Sequence, residues 1–222
     1  MAPHLPEAYW PTPLAIMAWG EDPNWHSARE RASRFLLSAG GITFPYEGTP
    51  TEGHDSSLRG WAWVDGTYSW VVPTAFAVMA LTCNGYQDHP RIVEATKMLV
   101  NRQIPTGGWN YGDTYAFGTE LLPVPETTGH ALCALKGAVA PASVERSVAY
   151  LEKTLHGLTS PLSLAWAVLG LGAWSRNDTA APAQIIESIR LQSRYGTYDT
   201  DLLAQLITAY YLTDGLTCEA MR

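Results

Sequence analysis

The sequence predicts an all-α fold of stacked helical hairpins, in a single domain over residues 1–222. Three observations lead there: a motif apolar nearly all round and repeated five times, amphipathic segments between the copies, and a composition short of charge and rich in Trp. The chain carries 14 Lys and Arg against 21 Asp and Glu, a formal net charge of −7, and only 16% of its residues are charged, against ~25% in typical soluble domains. Nine Trp and eleven Tyr accompany only four Phe, and 46% of residues are apolar. A chain of this make-up buries much of itself, which excludes disorder. Its basic residues are few, scattered and outnumbered by acids, which excludes a nucleic-acid partner.

The copies of the motif begin at Thr12, Thr74, Thr128, Leu164 and Thr200, separated by 62, 54, 36 and 36 residues. Each is apolar nearly all round and has Pro, Ser, Thr or Asp near its start, the pattern of a buried helix with a marked N-terminus. Between them, segments 27–38, 91–102, 143–155 and 183–193 place apolar residues at helical spacing, such as Val144, Val148, Leu151 and Leu155, opposite Arg, Glu and Lys. These are outer helices. Inner and outer helices in alternation, about nine in all, form stacked αα hairpins that curve into a solenoid or a closed α/α barrel with parallel inner helices.

The uneven spacing points to function. Against a 36-residue hairpin, the first two repeats hold about 26 and about 18 extra residues, in loops 39–72 and 104–125, longer than the ~12–15 residues beyond which a loop usually carries function. Trp61, Trp63, Tyr68, Trp70, Trp109, Tyr111, Tyr115 and Phe117 lie in them, as the aromatic wall of a mouth over the inner-helix N-termini. Candidate substrate-binding side chains are Trp63, Tyr68, Trp70, Trp109 and Tyr111 from the loops, with Trp166 from an inner helix. Asp65, Glu126 and His130 fall at the same end and are the candidate catalytic groups, since an apolar concavity with a few polar groups is the default site. Each has a plain structural reading beside the functional one. Asp65 precedes Gly66 and suits a turn; Glu126 complements a helix dipole; His130, aligned with Phe76 and Trp166, suits a hydrogen-bonded core position. The Trp residues fill a narrow barrel end, or attract a cation to their ring faces.

Gln103-Ile104-Pro105-Thr106-Gly107-Gly108-Trp109 has the pattern Gln-x3-Gly-x-Trp after an outer helix, and Gln192 to Tyr198 repeats it with Tyr in the Trp place. The pattern resembles the QW motif of squalene-hopene and other triterpene cyclases. With Glu126-Thr127-Thr128 opening an inner helix, it is similar to the repeat those cyclases share with protein prenyltransferase β subunits. The resemblance covers about residues 10–213 and implies an incomplete α/α toroid, about four and a half of the family's six hairpins. It also implies an isoprenoid or other lipid as ligand, protonated by an acid just before an inner helix.

The family's Asp-x-Asp-Asp motif is absent. Glu126 occupies the acid's register, and Asp199-Thr200-Asp201 straddles its helix start. The prenyltransferase zinc site is matched by Asp65 and His130, while Thr67 stands where the thiolate belongs, a poor third ligand; no metal and no cofactor are expected.

Three functions compete. The first is acid-initiated cyclisation or isomerisation of an isoprenoid, with Glu126 or Asp65 as the acid. The second is a non-catalytic toroid module binding a lipid or a protein, and the third a carbohydrate-active barrel using Asp65 and Glu126. An incomplete ring leaves inner-helix edges at residues 12–19 and 200–212, which a homodimer would cover. Residues 1–6 have neither a positive n-region nor an apolar h-region, so a cytoplasmic location is expected. Cys83, Cys133 and Cys218 lack CxxC spacing, which argues against a disulfide framework. The uncharged stretch 157–175 reads as a buried helix rather than a stable membrane insertion.

Overall fold

Among the described residues, five α-helices carry a proline as their first or second residue, because a proline in the first helical turn lacks only an N–H that would be unpaired there anyway. The computed structural model describes residues 9–48 and 53–213, mostly helical, in two compact units of residues 1–102 and 103–222. Residues 1–6 and Cys218 lie outside the described residues.

The first unit holds α1 (Pro11–Trp19), α2 (His26–Ser38), α3 (Val71–Cys83) and α4 (Pro90–Asn101). Helix α1 packs on α2 and α3, and α3 on α4. The second unit holds α5 (Pro125–Leu135), α6 (Glu145–Thr154), α7 (Pro161–Ala173), α8 (Ala181–Arg190), the single turn α9 (Gln192–Tyr195) and α10 (Thr200–Thr213). Here α7 lies between α5 and α10, with α6 and α8 on the outside. All five motif copies are helical, and the segments between them form α2, α4, α6 and α8. The stretch 157–175 contains the 13-residue α7, and no helix of the described residues is long and apolar enough to cross a membrane.

Three details differ from the expectation. Thr74 and Thr128 do not open their helices; they sit at the fourth residue, because Val71 and Pro125 start the turn earlier. The segment 183–193 is not one helix, since α8 ends at Arg190 and α9 forms a separate turn before Gly196, which has φ +102°. The loop 104–125 contains a two-stranded hairpin, β1 (Tyr115–Ala116) and β2 (Thr119–Glu120), turning at Phe117 and Gly118, both with positive φ. Strands of two residues carry no alternation that a sequence can show.

The long loops are tied to the inner helices by one device used twice. In the first unit the Trp61 backbone N–H donates to Thr74 Oγ1 (2.9 Å), and the Gly60 N–H to Ser69 Oγ (2.9 Å). In the second the Trp109 N–H donates to Thr128 Oγ1 (3.0 Å), and the Gly108 N–H to Ser147 Oγ (2.7 Å). Trp61 and Trp109 are fully buried. The Trp61 indole N–H donates to Leu36 O at the end of α2 (2.9 Å), and the Arg91 guanidinium lies over its ring at 4.6 Å. Gly60–Trp61 is thus a copy of Gly108–Trp109 that lacks the preceding Gln. Gly108 has φ +84°, and a Cβ there would come within 2.5 Å of Pro123 Cβ, so only glycine fits the turn.

The two Gln residues of the sequence pattern act differently. Gln192 donates to Ile189 O (3.0 Å) and accepts from the Tyr198 N–H (2.9 Å), closing a helix end. Gln103 donates instead to Ser147 Oγ on α6 (2.7 Å), the same oxygen that accepts from the Gly108 N–H.

Thr128→Val keeps the shape of the side chain but leaves the buried Trp109 N–H without its acceptor, which costs about 1–3 kcal/mol. Urea denaturation should show that loss for Thr128→Val and most of the stability retained in Thr128→Ser.

Candidate functional site

Helix α5 starts with Pro125 and puts Glu126 in its first turn, where a carboxylate complements the positive end of the helix. The half-buried Glu126 side chain accepts two hydroxyl hydrogen bonds, from Tyr111 to Oε1 (3.2 Å) and from Ser163 to Oε2 (2.7 Å). Tyr111 comes from the long loop and Ser163 from the first turn of α7, so the carboxylate joins three segments of the second unit. Burial first, and then the negative charge of Glu126, push the Tyr111 and Tyr150 phenols above their ordinary pKa. The Tyr150 hydroxyl donates to Pro123 O (2.9 Å).

One turn along α5, His130 is only 5% exposed. Its Nδ1 lies 2.6 Å from Glu126 O; a carbonyl can only accept, so Nδ1 carries the proton and Nε2 the lone pair. Burial holds its pKa down to about 3, so the ring is neutral near pH 7. The imidazole stacks on the Trp166 indole of α7, with ring centroids 3.5 Å apart and planes 23° from parallel. The Trp166 Nε1–H in turn donates to Gln205 Oε1 on α10 (2.8 Å). A continuous string therefore runs from Tyr111 and Ser163 through Glu126 and His130 to Trp166 and Gln205.

Sequence similarity adds kinship to this geometry. The chain is similar to lanosterol synthase of Candida albicans (strain SC5314 / ATCC MYA-2876). The two are 31% identical over 102 residues, 45% of this chain and 13% of that protein. The matched stretch thus spans about an eighth of the length of the curated relative. This supports kinship with the terpenoid cyclases. No family model matches the sequence.

Of the residues singled out in the sequence, Tyr111, Glu126, His130 and Trp166 are joined by direct contacts in the second unit. Trp109 belongs to the same unit but is enclosed, its backbone held by Thr128. The others lie in the first unit. Asp65 is exposed in a turn with Gly66 at φ +69°, where the Thr67 hydroxyl donates to Val64 O (2.7 Å). Trp63 meets Trp10 edge-on at 6.2 Å, Tyr68 packs on Phe44 at 5.1 Å, and the half-buried Trp70 precedes α3 with its N–H on Trp61 O. Among the described residues, no three His, Cys, Asp or Glu side chains gather into a set that could hold a metal ion.

Sequence reasoning missed Ser163 and Gln205. Ser163 immediately precedes the fourth motif copy and stands where Thr127 stands before the third; Gln205 interrupts an apolar copy with an amide. Both signals are polar residues at or just before an otherwise apolar register.

The buried, neutral His130 makes stability fall with acid. Above pH ~6.5 neither folded nor unfolded state binds a proton there; below it the unfolded state does and the folded state does not, down to about pH 3. Each pH unit in that window costs about 1.4 kcal/mol from this group. Urea unfolding of the wild type and His130→Phe at pH 7, 6, 5 and 4 should show a slope shallower by one proton in the variant.

Proposed function

We propose that this chain is a terpenoid-cyclase-like protein with an incomplete α/α-toroid fold, and that it binds an isoprenoid or comparable lipid at the N-terminal ends of α5 and α7. The observation that carries the reading is the Glu126 carboxyl group, held between the hydroxyls of Tyr111 and Ser163 and followed, one turn along, by the stacked His130 and Trp166 rings. Kinship with the terpenoid cyclases supports the lipid class of ligand.

The chemistry suited to such a group is proton transfer. A carboxyl joined to two hydroxyls gives a proton to an alkene or an epoxide oxygen placed against it, and regains one along the Tyr111 hydroxyl, whose side chain is half exposed. The cation formed is attracted to an aromatic face, and Tyr111, half exposed and bonded to Glu126, supplies one. His130 is not the acid, because burial keeps it neutral; it fixes the Trp166 ring by stacking. A second reading, a module that binds lipid without turning it over, is favoured by one feature: both Glu126 oxygens already have protein partners.

The test is extraction of the purified chain with organic solvent, mass spectrometry of the extract, and incubation with squalene and shorter polyprenes. A co-purifying polyprenoid is expected, with turnover that falls at least ~100-fold in Glu126→Gln and persists in Asp65→Asn. Loss in Asp65→Asn alone would move the acid to Asp65. Binding without turnover would establish the module, and a chain that retains no lipid and turns over none would sink both readings.

A further inference from the structure

We propose that a second copy of this chain docks the open face of its α1 against the open face of α10, because the two faces are the two halves of an interface the chain already builds within its second unit. This is independent of the ligand proposed above.

That interface is the contact of one inner helix with the next. On α5, Gly129 lies so close to α7 that a Cβ would collide with the Trp166 carbonyl, and a Cβ on Gly170 of α7 would come within 2.7 Å of Gly129 Cα. On the far side of α7, a Cβ on Gly172 would sit 3.8 Å from Leu212 Cδ2 of α10. In the register of the repeat, Gly129 is equivalent to Ala165 and Asp201, and Gly172 to Thr208. These positions, with Val168 and its equivalent Ala204, make up the stripe with which an inner helix receives its successor. Gly170 and the Trp166 main chain belong to the opposite stripe, with which α7 meets its predecessor, while the Trp166 indole reaches on to Gln205 of its successor.

The exposures of the terminal inner helices follow this division. On α10 the predecessor stripe is covered, with Leu206 fully buried, whereas Asp201, Ala204 and Thr208 of the successor stripe are exposed. Ile207 and Tyr211 beside them are 47% and 50% exposed, high for large apolar side chains. On α1 the pattern is reversed. Pro13 and Ile16, equivalent to Ala165 and Val168, are buried in a helix that packs on α3. Leu14 and Ala18, equivalent to Trp166 and Gly170, are exposed, and with Trp10 they form a stripe at i, i+4 and i+8. Trp10 is 47% and Leu14 37% exposed.

An open successor face and an open predecessor face of one repeat fit each other better than either fits itself, so the contact is heterologous, α10 of one copy to α1 of the next. Asp201 and Ala18 stand where Gly129 and Gly170 do, so this contact is wider than theirs, and its template is the contact of α7, with Ala165 in that place, on α10. Leu14, Trp10, Ile207 and Tyr211 supply the apolar surround.

The test is sedimentation equilibrium of the full chain up to roughly 1 mM, with two variants at exposed positions, Leu14→Glu and Ala204→Glu. The wild type is expected to associate, and each variant alone to be at least about tenfold weaker. An equimolar mixture of the two is expected to form a 1:1 dimer that grows no further, since the intact α10 of the Leu14→Glu copy meets the intact α1 of the Ala204→Glu copy. Circular dichroism confirms folding, and Tyr211→Lys replaces Ala204→Glu if that variant melts early. A wild type that stays monomeric would overturn the proposal, as would association that survives both substitutions or a mixture that stays monomeric.

Discussion

A threonine hydroxyl at the fourth residue of an inner helix, accepting the backbone N–H of a fully buried Trp, is the constraint on which each unit depends. Thr74 does this for Trp61 and Thr128 for Trp109. A buried amide without a partner costs about 1–3 kcal/mol, so the hydroxyl fixes where the long loop enters the interior. The adjacent glycine N–H is taken by a serine hydroxyl in both units, Ser69 and Ser147. With two consecutive N–H groups pinned, the indole has one place to go, and the rest of the loop is laid out from that anchor. In the second unit the same loop then supplies Tyr111 to Glu126.

The helical framework was legible in the sequence because two periodic signals alternate. Copies that are apolar nearly all round marked α1, α3, α5, α7 and α10, and one-sided segments between them marked α2, α4, α6 and α8. What stayed hidden depended on single polar atoms. Gly60–Trp61 does the work of Gly108–Trp109, yet Asp55 stands where the Gln would be, so the textual pattern did not reveal it. The Gln itself was a misleading guide: Gln103 and Gln192 share a pattern but bond to a side chain of α6 in one case and to a helix-end carbonyl in the other. The candidate site was half legible. Glu126, His130 and Tyr111 were visible as polar or aromatic residues near a helix start, whereas the partner that orients Glu126, Ser163, lies 37 residues away and is recognisable only through the repeat register.

The electrostatics of the string are divided between its two ends. At one end, Glu126 accepts from two hydroxyls in the first turn of α5, one of them on the exposed Tyr111. At the other, the Nδ1–H of His130 is spent on a main-chain carbonyl, and burial strips the ring of any charge near neutral pH. A neutral imidazole stacked on an indole is an aromatic surface rather than an acid. The carboxylate end and the aromatic end of the string are thus separated by a single turn of α5.

The third position of the repeat explains why those functions share a place. Leu14, Phe76, His130, Trp166 and Leu202 occupy it on successive inner helices, and His130 stacks directly on Trp166. Position three is a packing position, so a large change there alters how α7 seats on α5 as well as the surface the string offers. Glu126 lies outside that register, two residues before the copy begins, and is only half buried. A replacement there tests the chemistry without removing a wall of the core. A replacement of Trp166 tests both at once, and only a variant that keeps its area and its link to Gln205 would separate them.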